Sequence, residues 1–338
     1  MRRPSGTIVQ QSETAAPQCR ICENTVGNIR YRVREMMFGT KETFGYFQCS
    51  ECNCLQMENI PSDLSDYYPA NYYSIGVAPP VQFPNPIVKI FKNRRNHYAV
   101  FGKGIIGRMI YKRAPNEGLW PLSRIPLYKS MSLLDVGCGT GVSLYSLREL
   151  GFRNILGIDP YINQDINYQN GLRILKKSIE ELGTIWDVIM FHHSFEHLPN
   201  PIESLQAVSR LLSKNGVCVV VLPVVSSYAW KQYGVNWVQL DAPRHLFLHS
   251  MKSLAIAAVK TGLQLRDVIY NSTAFQFWGS EQYLRDIPLM SDRSYWMNPG
   301  KSIFSKKEIK SYTRKAAALN REQQGDSAIL YFVKGGLD

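Results

Sequence analysis

The stretch LLDVGCGTG, residues 133–141, ends an apolar run on three glycines, Gly137, Gly139 and Gly141. A strand that closes in such a turn and leads into a helix lets the backbone approach a ligand, because no Cβ stands between them. Two common uses of glycine turns do not fit. A dinucleotide turn follows G-x-G-x-x-G, and Val142 occupies the place of its third glycine. A P-loop needs Lys followed by Ser or Thr after the last glycine, and neither follows Gly141.

Outward from the turn, short apolar runs alternate with amphipathic segments: SLLDV (132–136), NILGID (154–159), RILK (173–176), WDVIMF (186–191) and GVCVVVL (216–222). That alternation predicts a parallel sheet flanked by helices. Asp159, at the end of the second run, is the acid placed to receive ribose hydroxyls. Between the last two runs a helix is expected, capped by Asn200 and begun by Pro201, with Glu203 in its first turn. Its buried side would be Ile202, Leu205, Val208 and Leu212, and it would stop at Lys214-Asn215-Gly216.

Loop, acid and strand order together resemble those of the class I S-adenosylmethionine (SAM)-dependent methyltransferases. The resemblance covers about half of the chain and implies a Rossmann-like, seven-stranded α/β domain. It implies SAM as cofactor, with Asp135, Gly137, Gly139 and Gly141 under its amino-acid part, Asp159 at the ribose, and Ser178 and Ile179 at the adenine edge. FHHSFEHLPNP (191–201), with His192 and His193, falls where the family's fourth strand meets the cofactor. LQLRDVIYN (263–271) and SAILYFVKG (327–335) look like the family's sixth and seventh strands. Residues 272–326 interrupt that pair and are expected to be helical and substrate-facing.

Five of the seven cysteines precede residue 55. CRIC and CSEC are two C-x-x-C knuckles, each able to aim two thiolates at one tetrahedral ion, so Cys19, Cys22, Cys49 and Cys52 read as a structural zinc site in a ribbon-like module. FGYFQC before the second knuckle alternates as a ribbon strand does. Cys54 is a spare, and Cys138 and Cys218 read as small core residues.

These signals divide the chain into a zinc-binding module (1–60), a linker or lid with a basic segment (61–130) and the α/β domain (131–338). SDLSDYYPANYYS (62–74) sets Tyr67, Tyr68, Tyr72 and Tyr73 around a turn, as packing or as a wall over a ligand. The net charge is +12, and residues 89–113 carry eight Lys or Arg and no Asp or Glu. Read plainly, that segment is a solvated basic helix pair bridging two domains; read functionally, it is an anion or membrane patch. With 45% hydrophobic residues the chain can bury a core, yet VCVVVLPVV (217–225) is too short to cross a bilayer. The N-terminal residues carry no apolar signal run, so the expected location is cytoplasmic, with peripheral membrane contact open.

A four-cysteine module, paired tyrosines, a class I domain and a histidine after the fifth strand together resemble the bacterial sugar and surface-polysaccharide methyltransferases. That resemblance implies a sugar acceptor, nucleotide- or lipid-linked, as the small-molecule partner. Sugar C-methyltransferases of this kind show Tyr-x-Glu-His where this chain has Ala242-Pro243-Arg244-His245, so O- and C-methylation both stand. His245 is the expected general base and His197 its assistant, because a histidine titrating near neutrality suits removal of a hydroxyl proton. The plainer readings are a helix-start residue for His245 and a capping and packing pair for Glu196 and His197. Arg244 is expected to meet a substrate phosphate, and Tyr228, Trp230, Tyr233 and Trp237 to supply an aromatic surface. The rival functions are an RNA methyltransferase gripping phosphates with its basic segment, and a non-catalytic binding module.

Overall fold

The computed structural model describes residues 17–68, 79, 83 and 85–336; Tyr72 and Tyr73 lie outside them. The chain begins as an antiparallel meander of β1 (Ile29–Arg34), β2 (Thr43–Gln48) and β3 (Leu55–Met57), paired in that order. A helical hairpin follows, α1 (Pro86–Phe101) and α2 (Ile105–Arg113). Asn85 caps α1 by accepting from the Val88 N–H, and α2 crosses α1 so closely that a Cβ on Gly107 would stand 2.3 Å from the Arg94 carbonyl oxygen.

The second sheet is built from β4 (Leu133–Val136), α3 (Val142–Glu149), β5 (Ile155–Ile158), β6 (Ile166–Asn167), β7 (Arg173–Leu175), β8 (Trp186–His192), α4 (Pro201–Leu211) and β9 (Leu212–Pro223). Then come α5 (Tyr228–Tyr233), β10 (Phe247–Leu248), α6 (Met251–Lys260), β11 (Leu263–Tyr270), α7 (Phe275–Leu284), α8 (Lys306–Arg321) and β12 (Ser327–Lys334). Its strand order is β11-β12-β9-β8-β4-β5-β7-β6. The five expected parallel strands stand together, and β11 and β12 form the expected reversed pair at one edge. The two-residue β6, antiparallel to β7, adds an eighth strand at the other edge.

Parallel strands covered on both faces read as continuous apolar runs, which is why these five were conspicuous in the sequence. Successive residues serve opposite layers. Leu133, Val188, Val217 and Val219 pack on the α1 and α3 side, whereas Leu134, Ile189, Cys218 and Val220 pack on the side of α4, α6 and the meander.

Several local expectations need correction. β9 begins at Leu212, four residues ahead of the anticipated start, because Leu212 pairs with Trp186 and serves the strand instead of the helix. Asn200 occupies the N-cap position of α4, but its side chain makes no capping bond; Pro201 sets the first turn. The basic hairpin does not bridge two domains: it lies against α3, where Lys89 pairs with Glu149 and Asn93 Nδ2 donates to the Glu149 carbonyl. His245 is not at a helix start, since α6 begins at Met251 behind its Ser250 cap. Instead the segment after His245 forms β10, which pairs with β3 as the fourth strand of the meander sheet. Tyr46, on β2, donates its hydroxyl to the His245 carbonyl at 2.9 Å. The 272–326 segment carries two helices, α7 and α8. Among the described residues no helix is long and apolar enough to cross a membrane.

Candidate functional site

At the carboxyl ends of β4, β5 and β8 lies a cavity of about 350 Å³. The glycine turn forms its floor. Gly137 has φ 69°, and a Cβ there would stand 2.5 Å from the Ser194 Cβ. Gly139 donates its N–H to Asp159 Oδ2 at 2.8 Å, while Asp159 Oδ1 accepts from the Tyr161 N–H at 2.8 Å. Gly141 packs on Ile174, 2.6 Å from where its Cβ would be, so close packing between α3 and β7 accounts for this glycine. Asp135, Gly137, Asp159, Ser178, Ile179, His192 and His193 line the cavity; Gly139 and Gly141 do not. Cys138 lines it too, and so is not the plain core residue expected, whereas Cys218 is fully buried.

The electrostatics of this cavity suit a cation. Asp135 is buried and its Oδ1 has no hydrogen-bond partner. Burial, together with the charge on Asp159, pushes its carboxyl up to about 7. An ammonium or sulfonium ligand would supply the missing donor or charge and restore the ionised form. Burial pushes His192 down to about 3, aided by His193, so it is neutral near pH 7. Over the cavity Tyr68 stacks on Tyr161 at 6.3 Å and 11°, so one of the four tyrosines does wall a ligand site. Tyr67 instead packs edge-on against Phe44.

A second cavity, of about 160 Å³, shares His193 with the first. Met37 and Phe38, from the β1–β2 loop, form one wall, and Phe275, Leu289, Met290 and Trp296, from the 272–326 segment, form another. Its polar end holds Glu196, Gln239, Asp241 and His245. His245 Nδ1 lies 2.7 Å from the Gln239 carbonyl, which accepts a proton from that nitrogen. The tautomer so fixed leaves the Nε2 lone pair free, 4.0 Å from Glu196 and 3.9 Å from Asp241. Burial and neighbouring His197 bring His245 down to about 4, against the opposing pull of Asp241 and Glu196.

His197 closes a 3₁₀ turn, Phe195–His197, with Nδ1 2.8 Å from the Arg244 carbonyl and its ring 4.8 Å from that of His245. Glu196 is fully buried, with Oε1 3.4 Å from His193 Nδ1 as its nearest counter-charge. Burial alone raises its pKa, but His193, His197 and His245 outweigh that and hold the carboxyl at about 2. Glu196, His197 and His245 each place one ligand-type atom within 4.8 Å of the others, so this group could also hold a metal ion.

Two expectations about this region fail. Arg244 is fully buried and cannot meet a substrate phosphate: its Nη2 pairs with Glu35 at 2.9 Å and Asp241 at 2.6 Å, and Phe38 lies beneath the guanidinium at 5.2 Å. Trp230, Tyr233 and Trp237 are buried in the core and Tyr228 is half-buried, and none lines either cavity; Phe38, Phe275 and Trp296 supply the aromatic wall instead. The sequence reading missed Glu35. Its carboxylate gathers the N–H groups of Met37, Phe38, Gly39 and Thr40 and so shapes the loop that forms the first wall. An acid followed by an apolar, glycine-ended loop was the only local signal.

The four cysteines meet as expected. Sulfur pairs Cys19–Cys52 and Cys22–Cys49 stand at 3.5 Å, too far apart for disulfides and close to the roughly 3.8 Å of a tetrahedral zinc with ~2.3 Å bonds. The N–H groups of Ile21 and Cys22 point at Cys19 Sγ, and that of Cys52 at Cys49 Sγ, as suits thiolates. This donor set fits zinc. Cys54 lies apart from it, 3.9 Å from His249 Nδ1.

Residues 115–268 match the family model described as a methyltransferase domain. The chain is 33% identical over 103 residues to a ubiquinone biosynthesis O-methyltransferase of Colwellia psychrerythraea, 27% of this chain and 41% of that protein. It is 26% identical over 168 residues to the protein of the same name from Psychrobacter arcticus, 43% of this chain and 65% of that one. The chain thus spans less than two thirds of these curated relatives. Among solved structures, the cyclopropane synthase MmaA2 from Mycobacterium tuberculosis aligns over 63% of this chain and 81% of its own, at 17% identity and a TM-score of 0.41. Strand order, reversed edge pair, glycine turn and the matched family model agree: the chain carries a class I, SAM-dependent methyltransferase domain.

Proposed function

We propose that the protein transfers the methyl group of SAM to a hydroxyl of a small, ring-shaped acceptor, with His245 as general base. The observation that carries this reading is the free Nε2 lone pair of His245 in a 160 Å³ cavity that adjoins the cofactor cavity at His193. SAM supplies an activated methyl on a sulfonium, so the chain's own work is to hold the acceptor oxygen in line, about 3 Å from that carbon, and to take its proton. Asp135 would meet the cofactor's cationic part, Asp159 the ribose, and Ser178 and Ile179 the adenine edge. His245 would accept the proton at Nε2, and the Glu196 and Asp241 carboxylates nearby favour the imidazolium that results. His197, tied to the Arg244 carbonyl, would hold the His245 ring and the substrate in place.

Two acceptor classes fit. A sugar ring would stack on Phe38, Phe275 or Trp296 while its hydroxyls meet Gln239, Glu196 and Asp241. A phenolic or quinol ring is favoured by the apolar share of the lining, Met37, Val238, Leu289 and Met290, and by the names of the curated relatives, which also favour O- over C-methylation. The position of the basic hairpin beside α3, outside both cavities, supports a small molecule over RNA. Incubation with labelled SAM and panels of nucleotide sugars, lipid-linked glycans, catechols and RNA, read by mass spectrometry, tests the reading. Label in one class identifies the acceptor; label only in RNA removes the proposal.

The same reading includes structural zinc on Cys19, Cys22, Cys49 and Cys52, to be checked by metal analysis of the purified protein.

A further inference from the structure

The α1–α2 hairpin carries an exposed apolar surface that no part of the described fold covers. On α1, Ile87, Ile90 and Phe91 are 67%, 56% and 53% exposed, and their spacing puts them on one helix face that continues into Arg94. On α2, Ile105, Ile106 and Met109 are 81%, 50% and 54% exposed and lead into Lys112 and Arg113. The inner side of α1 is ordinary core, with Ala99 and Val100 buried against the domain. Scattered exposed apolar side chains need no explanation, but six on one hairpin whose charged residues are all basic do.

The two helices also frame a groove. Arg94, His97, Lys103 and Lys129 line it, with Ile105 and Ile106 beside them. Glu149 is its one acid, and it already pairs with Lys89. The close crossing at Gly107 holds the hairpin in a fixed shape, so the cations converge without prior ordering.

We propose that this hairpin seats the protein on an anionic bilayer, its isoleucines, Phe91 and Met109 entering the acyl boundary and Arg94, Lys103 and Lys129 meeting lipid phosphates. Charge complementarity selects that occupant: residues 89–113 offer eight Lys or Arg and no acid to a negative surface. A polyanion such as RNA would use the cations but leave six apolar side chains in water. The groove reaches Glu149 and Leu150 at the end of α3, whose first residues Val142 and Ser143 line the cofactor cavity, about 12 Å away along the helix. Docking therefore leaves both cavities open, and the inference does not rest on the methyl-transfer reading.

The test is co-sedimentation of the full chain with vesicles of phosphatidylcholine alone or mixed with phosphatidylglycerol. Binding is expected only with the anionic lipid and should weaken with salt. Replacing Ile105→Ser with Ile106→Ser, and separately Arg94→Gln with Lys103→Gln, should each reduce partitioning roughly tenfold. Thermal melts and SAM calorimetry should be unchanged, showing that both variants are folded. No binding to anionic vesicles, or equal binding by the isoleucine variant, overturns the proposal. So does single-stranded RNA that displaces the vesicles and binds the isoleucine variant as tightly as the parent.

Discussion

His245 was legible in the sequence because strand counting alone puts it beyond the fifth strand, where ligands of open α/β sheets bind. Its environment was not legible, and that environment sets its behaviour. As the base we propose, His245 depressed to about 4 is already neutral at pH 5, so the acid limb of the kcat/KM profile should fall near 4 to 5 instead of near 6.5. A pH series on the parent checks this, and His245→Ala should lower turnover roughly 10²-fold while leaving SAM affinity nearly unchanged. An acid limb at 6.5 that survives in the variant would assign the base elsewhere. Arg244 was misread for a physical reason: one of its partners, Glu35, lies 209 residues away in sequence. Removing one member of a buried charge network strands the others, so Arg244→Ala should cost about 3–5 kcal/mol in denaturant unfolding.

At the scale of elements, what the sequence revealed was local. The C-x-x-C knuckles, the glycine turn and the continuous apolar strands each carry their pattern within a few residues. The two-residue β6 and β10 have no such pattern, because pairing with a neighbour, not periodicity, defines them. β10 matters most, since it attaches the cysteine module to the segment that carries His245. Beyond the β3–β10 pairing, Ser250 Oγ donates to the Cys52 carbonyl and Tyr46 holds the His245 carbonyl. Loss of a metal held by the four cysteines should therefore be felt at His245. Cys49→Ser, or removal of zinc by a chelator, should lower the melting temperature and reduce kcat, with SAM binding retained because the glycine turn lies on the other sheet. Metal content, melts and calorimetry on one preparation separate these effects, and an unchanged kcat would detach the module from the chemistry.

Over the whole molecule, buried titratable groups make stability a two-sided function of pH. Burial lowers His245 and His249 to about 4 from an ordinary 6.5, so the unfolded chain binds protons in that window that the native state refuses. Stability is then lost as pH falls from 6.5 toward 4. Asp135, raised to about 7, and Asp326, raised by burial to about 6, run the other way: each keeps in the native state a proton that the unfolded chain releases near 3.8. Their contribution is present at low pH and lost as pH rises through 6 to 7. Over pH 4 to 6 three histidines, His192 lowered to about 3 among them, oppose these two carboxyls, so the cofactor-free protein should melt higher at pH 6.5 than at pH 4. The cofactor should remove the opposing contribution of Asp135, because a cation beside it favours its ionised form. SAM binding should strengthen as pH rises through about 7 and release a proton, seen by calorimetry in buffers of different ionisation enthalpy. Asp135→Asn should bind SAM more weakly and without that proton release. If the parent also releases none, the carboxyl that meets the cofactor is already ionised, and the cationic contact assigned to Asp135 is wrong.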